Sequence, residues 1–129
     1  MDVFKTPGAI SWSELMTTDP QGAAAFYGQL FGWQSKNMDM GTGAYHVQSV
    51  GDSMIGGIMG MPPGSPPGMP PTWALYVTVA NVEETIAQCE KLGGKVCMPA
   101  MDIPGVGRMA VIADPQGATL NIMAYSSPA

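Results

Sequence analysis

Apolar positions along the chain alternate with a period of two, switch to the helical period, and switch back, twice over. Ile10 to Thr18 is β-branched and aromatic enough for a strand. Asp19 followed by Pro20 has the chemistry of an N-cap with proline at the first helical position. Ala23, Phe26, Tyr27, Leu30 and Phe31 then recur at helical spacing until Gly32. Strand-like runs follow at Trp33–Met38, Ala44–Val50 and Met54–Met59, with turn chemistry at Gly41–Gly43 and Gly51–Ser53. The series then begins again. Trp73–Val79 predicts a strand, and Asn81 with Glu84 three residues on forms a capping-box signature. Val82, Ile86, Cys89 and Leu92 make an apolar helix face that ends at Gly93 and Gly94. Strands are expected at Lys95–Pro99, Gly107–Ala113 and Ala118–Tyr125, the last two joined by a hairpin turn at Asp114–Gly117.

Each half therefore predicts strand, helix, then three strands. Asp19 corresponds to Asn81 and Gly32 to Gly94 by one and the same displacement, as an internal βαβββ repeat requires. Residues 8–60 form the first module and 73–126 the second, within a single domain over 1–129. Between them, residues 61–72 carry six of the twelve prolines, which excludes a helix or a central strand. This segment is expected to be an exposed linker or a lid, or else a ligand for a proline-reading domain.

Several segments resemble the vicinal oxygen chelate superfamily, which holds glyoxalase I, extradiol dioxygenases and bleomycin-resistance proteins. They are Glu14–Asp19, Ala24–Tyr27 and Leu30–Trp33 in the first half, and Val79–Asn81, Glu90–Gly94 and Gly107–Gly117 in the second. The resemblance implies an α+β fold in which two βαβββ modules form a curled mixed sheet around a shared cavity, with the helices outside. It also implies a homodimer. In metal-dependent relatives each module supplies one ligand from its first strand and one from its last. Carried over, those positions fall on Trp12, Ala74, Asn121 and either Gly56 or Gly57. None is an imidazole, carboxylate or thiolate, the donors that divalent ions of this class need. The expectation is a domain of this fold with no metal and no cofactor.

Composition narrows the partners. Of 129 residues, 46% are apolar and only 12% charged, which suits a packed core and argues against wholesale disorder. The net charge is −5, and Lys5, Lys36, Lys91, Lys95 and Arg108 form no stripe, so neither nucleic acid nor an anionic membrane is an expected partner. No apolar run approaches the roughly 20 residues of a membrane span. The opening residues lack the apolar core of an export signal. Cys89 and Cys97 are then expected to be reduced, mostly buried thiols in a cytoplasmic protein.

Alternation sorts the strand faces. Trp73, Leu75, Val77 and Val79, with Leu120, Ile122 and Ala124, should pack under a helix. Trp12, Glu14, Tyr76, Asn121 and Met123 should line the cavity, an aromatic and soft surface suited to a small organic ligand. Glu14 is the first candidate for acid–base work, because partial desolvation favours a protonated carboxyl. Its structural alternative is a partner in Arg108, a Tyr or a Trp. His46, the sole imidazole, is the second candidate, against a core-edge role. If His46 and Gln48 faced inward they could couple to Glu14, but parity alone leaves their face open. Trp12 is a stacking platform or simply core. Arg108 either holds Asp114 or another local carboxylate, or clamps an anionic ligand. Two functional classes follow: a metal-independent binder of a small apolar or aromatic compound, and a lyase or isomerase using Glu14 as acid or base. A divalent-metal-dependent glyoxalase or dioxygenase is the third.

Overall fold

The computed structural model describes residues 1–39, 44–62 and 64–126. The turn expected at Gly41–Gly43 and Pro63 of the proline-rich segment lie outside the described residues. The chain forms two compact units, Trp12–Ala74, and Met1–Ser11 with Leu75–Ala129. The boundary falls inside the first strand and inside the fifth.

The first unit holds β1 (Ile10–Thr17) from Trp12 on, α1 (Pro20–Phe31), β2 (Gln34–Asp39), β3 (Ala44–Val50) and β4 (Ser53–Gly60). Its strands run in the order β2-β3-β4-β1, with β1 parallel to β4 and the other pairs antiparallel. The second holds β5 (Thr72–Thr78) from Leu75 on, α2 (Val82–Lys91), β6 (Lys95–Ile103), β7 (Gly107–Ala113) and β8 (Thr119–Tyr125). Its order is β5-β8-β7-β6, with β5 parallel to β8. Both units thus have one βαβββ topology, and the fold class is α+β.

Both helices start where their caps predict. The Asp19 carboxylate accepts from the Gly22 backbone N–H at 3.0 Å, and the Asn81 side chain accepts from that of Glu84 at 2.9 Å. Gly32 closes α1 in the left-handed region, at φ 77°, which a side chain would resist. The α2 face is as expected at Val82, which packs with Ala110 and Ile122, and at Ile86, which flanks them with Ile112 and Ala124. Leu92, expected on that face, is the C-cap and is exposed, and so are Trp73 and Leu75 of β5, which were expected under a helix. Cys89 is half-buried and Cys97 is exposed, not buried as expected.

The face of α1 differs from its expected one. No residue of α1 is buried, and Phe26, Leu30 and Phe31 are each 58% exposed. The half-buried stripe is Pro20, Ala23, Ala24, Tyr27 and Gly28. Small residues at i, i+3, i+4 and i+8 bring the helix backbone close to the sheet, chiefly to β4, and Phe26, Leu30 and Phe31 are turned away. β6 also differs, extending through Pro99 to Ile103 with two register shifts against β7. It is the terminal strand of its unit, and an edge with bulges is where a strand tolerates proline. The described residues of the proline-rich segment as far as Pro71 form no strand or helix and are mostly exposed, and Thr72 opens β5.

The N-terminal residues join the second unit. Gly8 N–H donates to the Thr78 carbonyl at 2.8 Å, Thr78 N–H to that of Ala9 at 2.9 Å, and the Thr78 hydroxyl to that of Val3 at 2.7 Å. Ser11 and Tyr125 share a hydroxyl–hydroxyl bond of 2.7 Å.

Candidate functional site

In the first unit the register places Glu14 beside Gly57 on β4, with Val47 of β3 beyond it. Trp12, Glu14, Tyr45 and Val47 therefore share one sheet face. Tyr45 leans across Gly57, close enough that a Cβ there would run into its ring and hydroxyl. That hydroxyl accepts from the Trp12 indole N–H at 2.9 Å and donates to Glu14 Oε2 at 2.7 Å. Glu14 is 9% exposed, so its carboxylate sits against the sheet with a phenol as partner rather than in bulk water. The result is a three-membered chain, indole to phenol to carboxylate, fixed by three strands. Of Glu14's structural alternatives, the tyrosine is the one realised.

Tyr45 was not among the residues singled out from sequence. The run Ala44–Val50 alternates Tyr45 and Val47 with His46 and Gln48, and neither set is apolar enough to anchor the parity. The signal lay in the partner strand: two glycines inside β4, Gly56 and Gly57, mark a place where other groups approach closely.

His46 and Gln48 lie on the opposite face from Glu14. His46 pairs with Ile58 and Gln48 with Gly56, the set that on β1 includes Ser13 and Leu15. The coupling of His46 to Glu14 contemplated from sequence is thereby ruled out within this sheet. His46 is 7% and Gln48 1% exposed, under the helix side with Ile58. The Gln48 amide N–H donates to Ser35 Oγ at 2.9 Å and to the His46 carbonyl at 3.1 Å. Gln48 Oε1 and His46 Nε2 are buried without a hydrogen-bond partner.

In the second unit Tyr76 is opposite Asn121, and Met109 opposite Met123, so Tyr76, Asn121, Met123 and Met109 share the face away from α2. All four are buried. The Tyr76 hydroxyl approaches Met109 Sδ at 4.0 Å. Arg108 does not hold Asp114. It bonds Glu83 of α2 and, at 2.9 Å, Asp102 of β6, and these bonds, Glu83 first, push the guanidinium further above its usual value. Asp114 instead caps its own turn, accepting from the N–H groups of Gln116 and Ala118. Arg108 is thus a local fastening on an exposed surface.

The donor set does not fit a divalent ion. Among the described residues no group of three or more His, Cys, Asp and Glu side chains converges. In the first unit one ligand position carries the Trp12 indole, which is a donor only, and Gly57 is overlain by Tyr45.

The model of the Glyoxalase/Bleomycin resistance protein/Dioxygenase superfamily matches residues 9–122. The chain is 39% identical over 117 residues to "Putative glyoxylase CFP32" of Mycobacterium tuberculosis, covering 90% of this chain and 44% of that protein. It is 33% identical over 128 residues to the anthracycline biosynthesis protein DnrV of Streptomyces peucetius, covering 90% of this chain and 46% of that one. The chain thus spans less than half the length of these relatives. Among solved structures, methylmalonyl-CoA epimerase from Mycobacterium tuberculosis superposes with a TM-score of 0.68 at 13% identity, covering 95% of this chain and 92% of that one. A variant of homoprotocatechuate 2,3-dioxygenase from B. fuscum superposes at 0.62 and 16% identity, over 92% of this chain and 32% of that one. Such low identities establish the fold alone. With the repeated βαβββ topology and a family match over nearly its whole length, this chain belongs to the glyoxalase, bleomycin-resistance protein and dioxygenase superfamily.

Proposed function

We propose that this domain binds a small apolar or aromatic organic molecule without a metal ion, on the sheet face that carries Trp12, Tyr45 and Glu14. The observation that carries this reading is the Tyr45 ring lying over Gly57 with its hydroxyl between Trp12 and Glu14. An aromatic surface with one carboxylate recognises an organic molecule by stacking and one or two directed hydrogen bonds. Similar proteins are named for glyoxylase activity and for anthracycline biosynthesis, names that concern small organic molecules.

A second reading is favoured by one feature. Glu14 and Tyr45 share a proton-bearing hydrogen bond, so the pair can hold a proton at Oε2 or at the phenol while a bound compound is protonated or deprotonated. That chemistry suits a lyase or isomerase.

One set of measurements separates the two. In a thermal-shift screen of aromatic and carbonyl compounds, a ligand of this face raises Tm in proportion to its occupancy. Glu14→Gln keeps the shape and removes the charge. Binding retained with any turnover abolished assigns Glu14 to catalysis. Binding weakened in a domain that turns nothing over assigns it to recognition. Unchanged binding and stability in both Glu14→Gln and Tyr45→Phe overturns the proposal.

A further inference from the structure

Half of the chain's aromatic residues gather at one end of the first unit. The sequence holds three Phe, four Tyr and three Trp, and Phe26, Tyr27, Phe31, Trp33 and Trp73 form one continuous set of ring contacts, with centroids 5.1–6.2 Å apart. Tyr27 is the centre of the set. It stacks on Trp33, meets Trp73 at 70°, and accepts from the Trp73 indole N–H at 3.3 Å. Trp33 and Trp73 meet edge to face, with planes at 87°. The rings close no core, since Phe26 and Phe31 are 58% exposed and Trp73 is 40% exposed. Tyr27 thus holds two indoles at a right angle near the surface of the unit.

Those two indoles line a cavity of about 190 Å³, together with Ser13, Gln48, Ile55 and the backbone of Gly56 and Gly57. Ser13 and Gln48 belong to the sheet face opposite Glu14. Packed interiors leave few voids larger than a water molecule. Here the floor is bare backbone because no side chain fits at Gly56, where a Cβ would run into the Ser13 carbonyl. Gln48 offers a guest no directed bond: its amide nitrogen donates to Ser35 and to the His46 carbonyl, and its Oε1 is buried. Among the described residues no charged side chain lines the space, so an ionised guest would leave water without a counter-ion.

We infer that this cavity is a second binding site, on the opposite side of the sheet from Glu14, for a neutral, apolar single-ring arene. An apolar cavity of roughly 150 Å³ takes benzene, so the volume admits one ring with a small alkyl substituent. Recognition rests on size and on ring contacts, not on a polar anchor. With the indoles at a right angle, a ring stacked on one presents its edge to the other, the two arrangements that aromatic pairs prefer. Tyr27 holds both indoles before a guest arrives, so binding orders little that is not already ordered.

Toluene is the probe. Methylcyclohexane matches it in size without the aromatic ring, and tetramethylammonium is a cation that would use the same ring faces. Tryptophan fluorescence and Tm report occupancy, since a ligand of the native state stabilises it by mass action. Toluene is expected to give a saturable fluorescence change and a raised Tm. Methylcyclohexane is expected to bind about two- to tenfold more weakly, the factor that ring–ring geometry contributes beyond buried area, and tetramethylammonium to give no saturable signal. Trp73→Leu, at an exposed position that tolerates change, is expected to weaken toluene about tenfold through loss of one aromatic wall. Ile55→Phe, which fills the cavity from its half-buried wall, is expected to abolish toluene binding, and it carries the test if Trp73→Leu does not fold. No saturable toluene signal in the unaltered chain overturns the inference. So does methylcyclohexane or tetramethylammonium binding as tightly as toluene, and so does toluene binding that survives either variant unchanged. Toluene binding lost in Glu14→Gln but kept in Trp73→Leu overturns it and moves the ligand to the Glu14 face. Failure of the Glu14 reading leaves the Trp73 and Ile55 results untouched, so the two proposals fail separately.

Discussion

A methyl group added at Gly57 would occupy space that the Tyr45 ring now fills. The ring is the far end of a side chain and can swing out, but only by giving up its bonds to Trp12 and Glu14. Gly57→Ala should therefore cost about 1–3 kcal/mol, the usual range for overpacking. In a Tyr45→Ala background the same change should cost less than about 0.5 kcal/mol, because the obstruction is gone. Gly56→Ala is the control: its methyl would meet the Ser13 backbone carbonyl, and removing Tyr45 brings no relief. Urea denaturation of the four proteins in the Gly57–Tyr45 cycle measures the coupling, and additive costs would show that the ring is not fixed over Gly57. At this scale the sequence was legible where strands alternate cleanly. Period two put Trp12 with Glu14, and Tyr76 with Asn121 and Met123, on shared faces, as the register has them. It could not orient His46 and Gln48, because which way β3 faces is set by its bulge and by its pairing to β4, neither of which is local.

The two helices have related caps and unlike surfaces. α2 has Asn81 at its start, Glu83 and Glu84 in its first turn and Lys91 in its last, so cap and macrodipole act together. α1 has the Asp19 cap and Pro20 but no acid in its first turn and no base in its last. Asn81→Ala should destabilise the protein by about 1 kcal/mol, and Asp19→Ala by a comparable amount. Circular dichroism through a urea transition checks both, and an unshifted midpoint in either would show that the cap bond contributes nothing there. Helix ends were readable from sequence because caps are local chemistry. The half-buried face of α1 was not, because alanines, glycine and aromatics all count as apolar while Phe26, Leu30 and Phe31 are exposed and Ala23, Ala24, Tyr27 and Gly28 are not. The length of β6 was hidden for a similar reason: Pro99 reads as a stop unless the strand is known to be an edge.

At the scale of the molecule, one βαβββ unit occurs twice, and the capping residues displayed that repeat before any tertiary contact was known. The membership of Met1–Ser11 in the second unit was not displayed, since backbone bonds from Gly8 and to Ala9 leave no mark on side-chain pattern. Family membership raises the question of a metal, and the metal-free reading proposed above rests on the chemistry of these residues. A divalent ion needs several imidazole or carboxylate donors within about 2.0–2.6 Å. Here the carried-over positions offer an indole N–H, a glycine beneath a phenol, an alanine and one buried amide, Asn121. Glu14 Oε2 already accepts from Tyr45, and turning it to an ion would leave that hydroxyl without its acceptor. Titration of the purified chain with zinc, nickel, manganese or ferrous ion should then give no stoichiometric binding by calorimetry. Chelator treatment should leave Tm unchanged, because an ion that does not bind the native state cannot stabilise it. The net charge of −5 allows weak, diffuse cation association, which added salt suppresses, whereas a coordinated ion would persist. One equivalent of metal that survives high salt and whose removal lowers Tm would show that a donor set forms here after all.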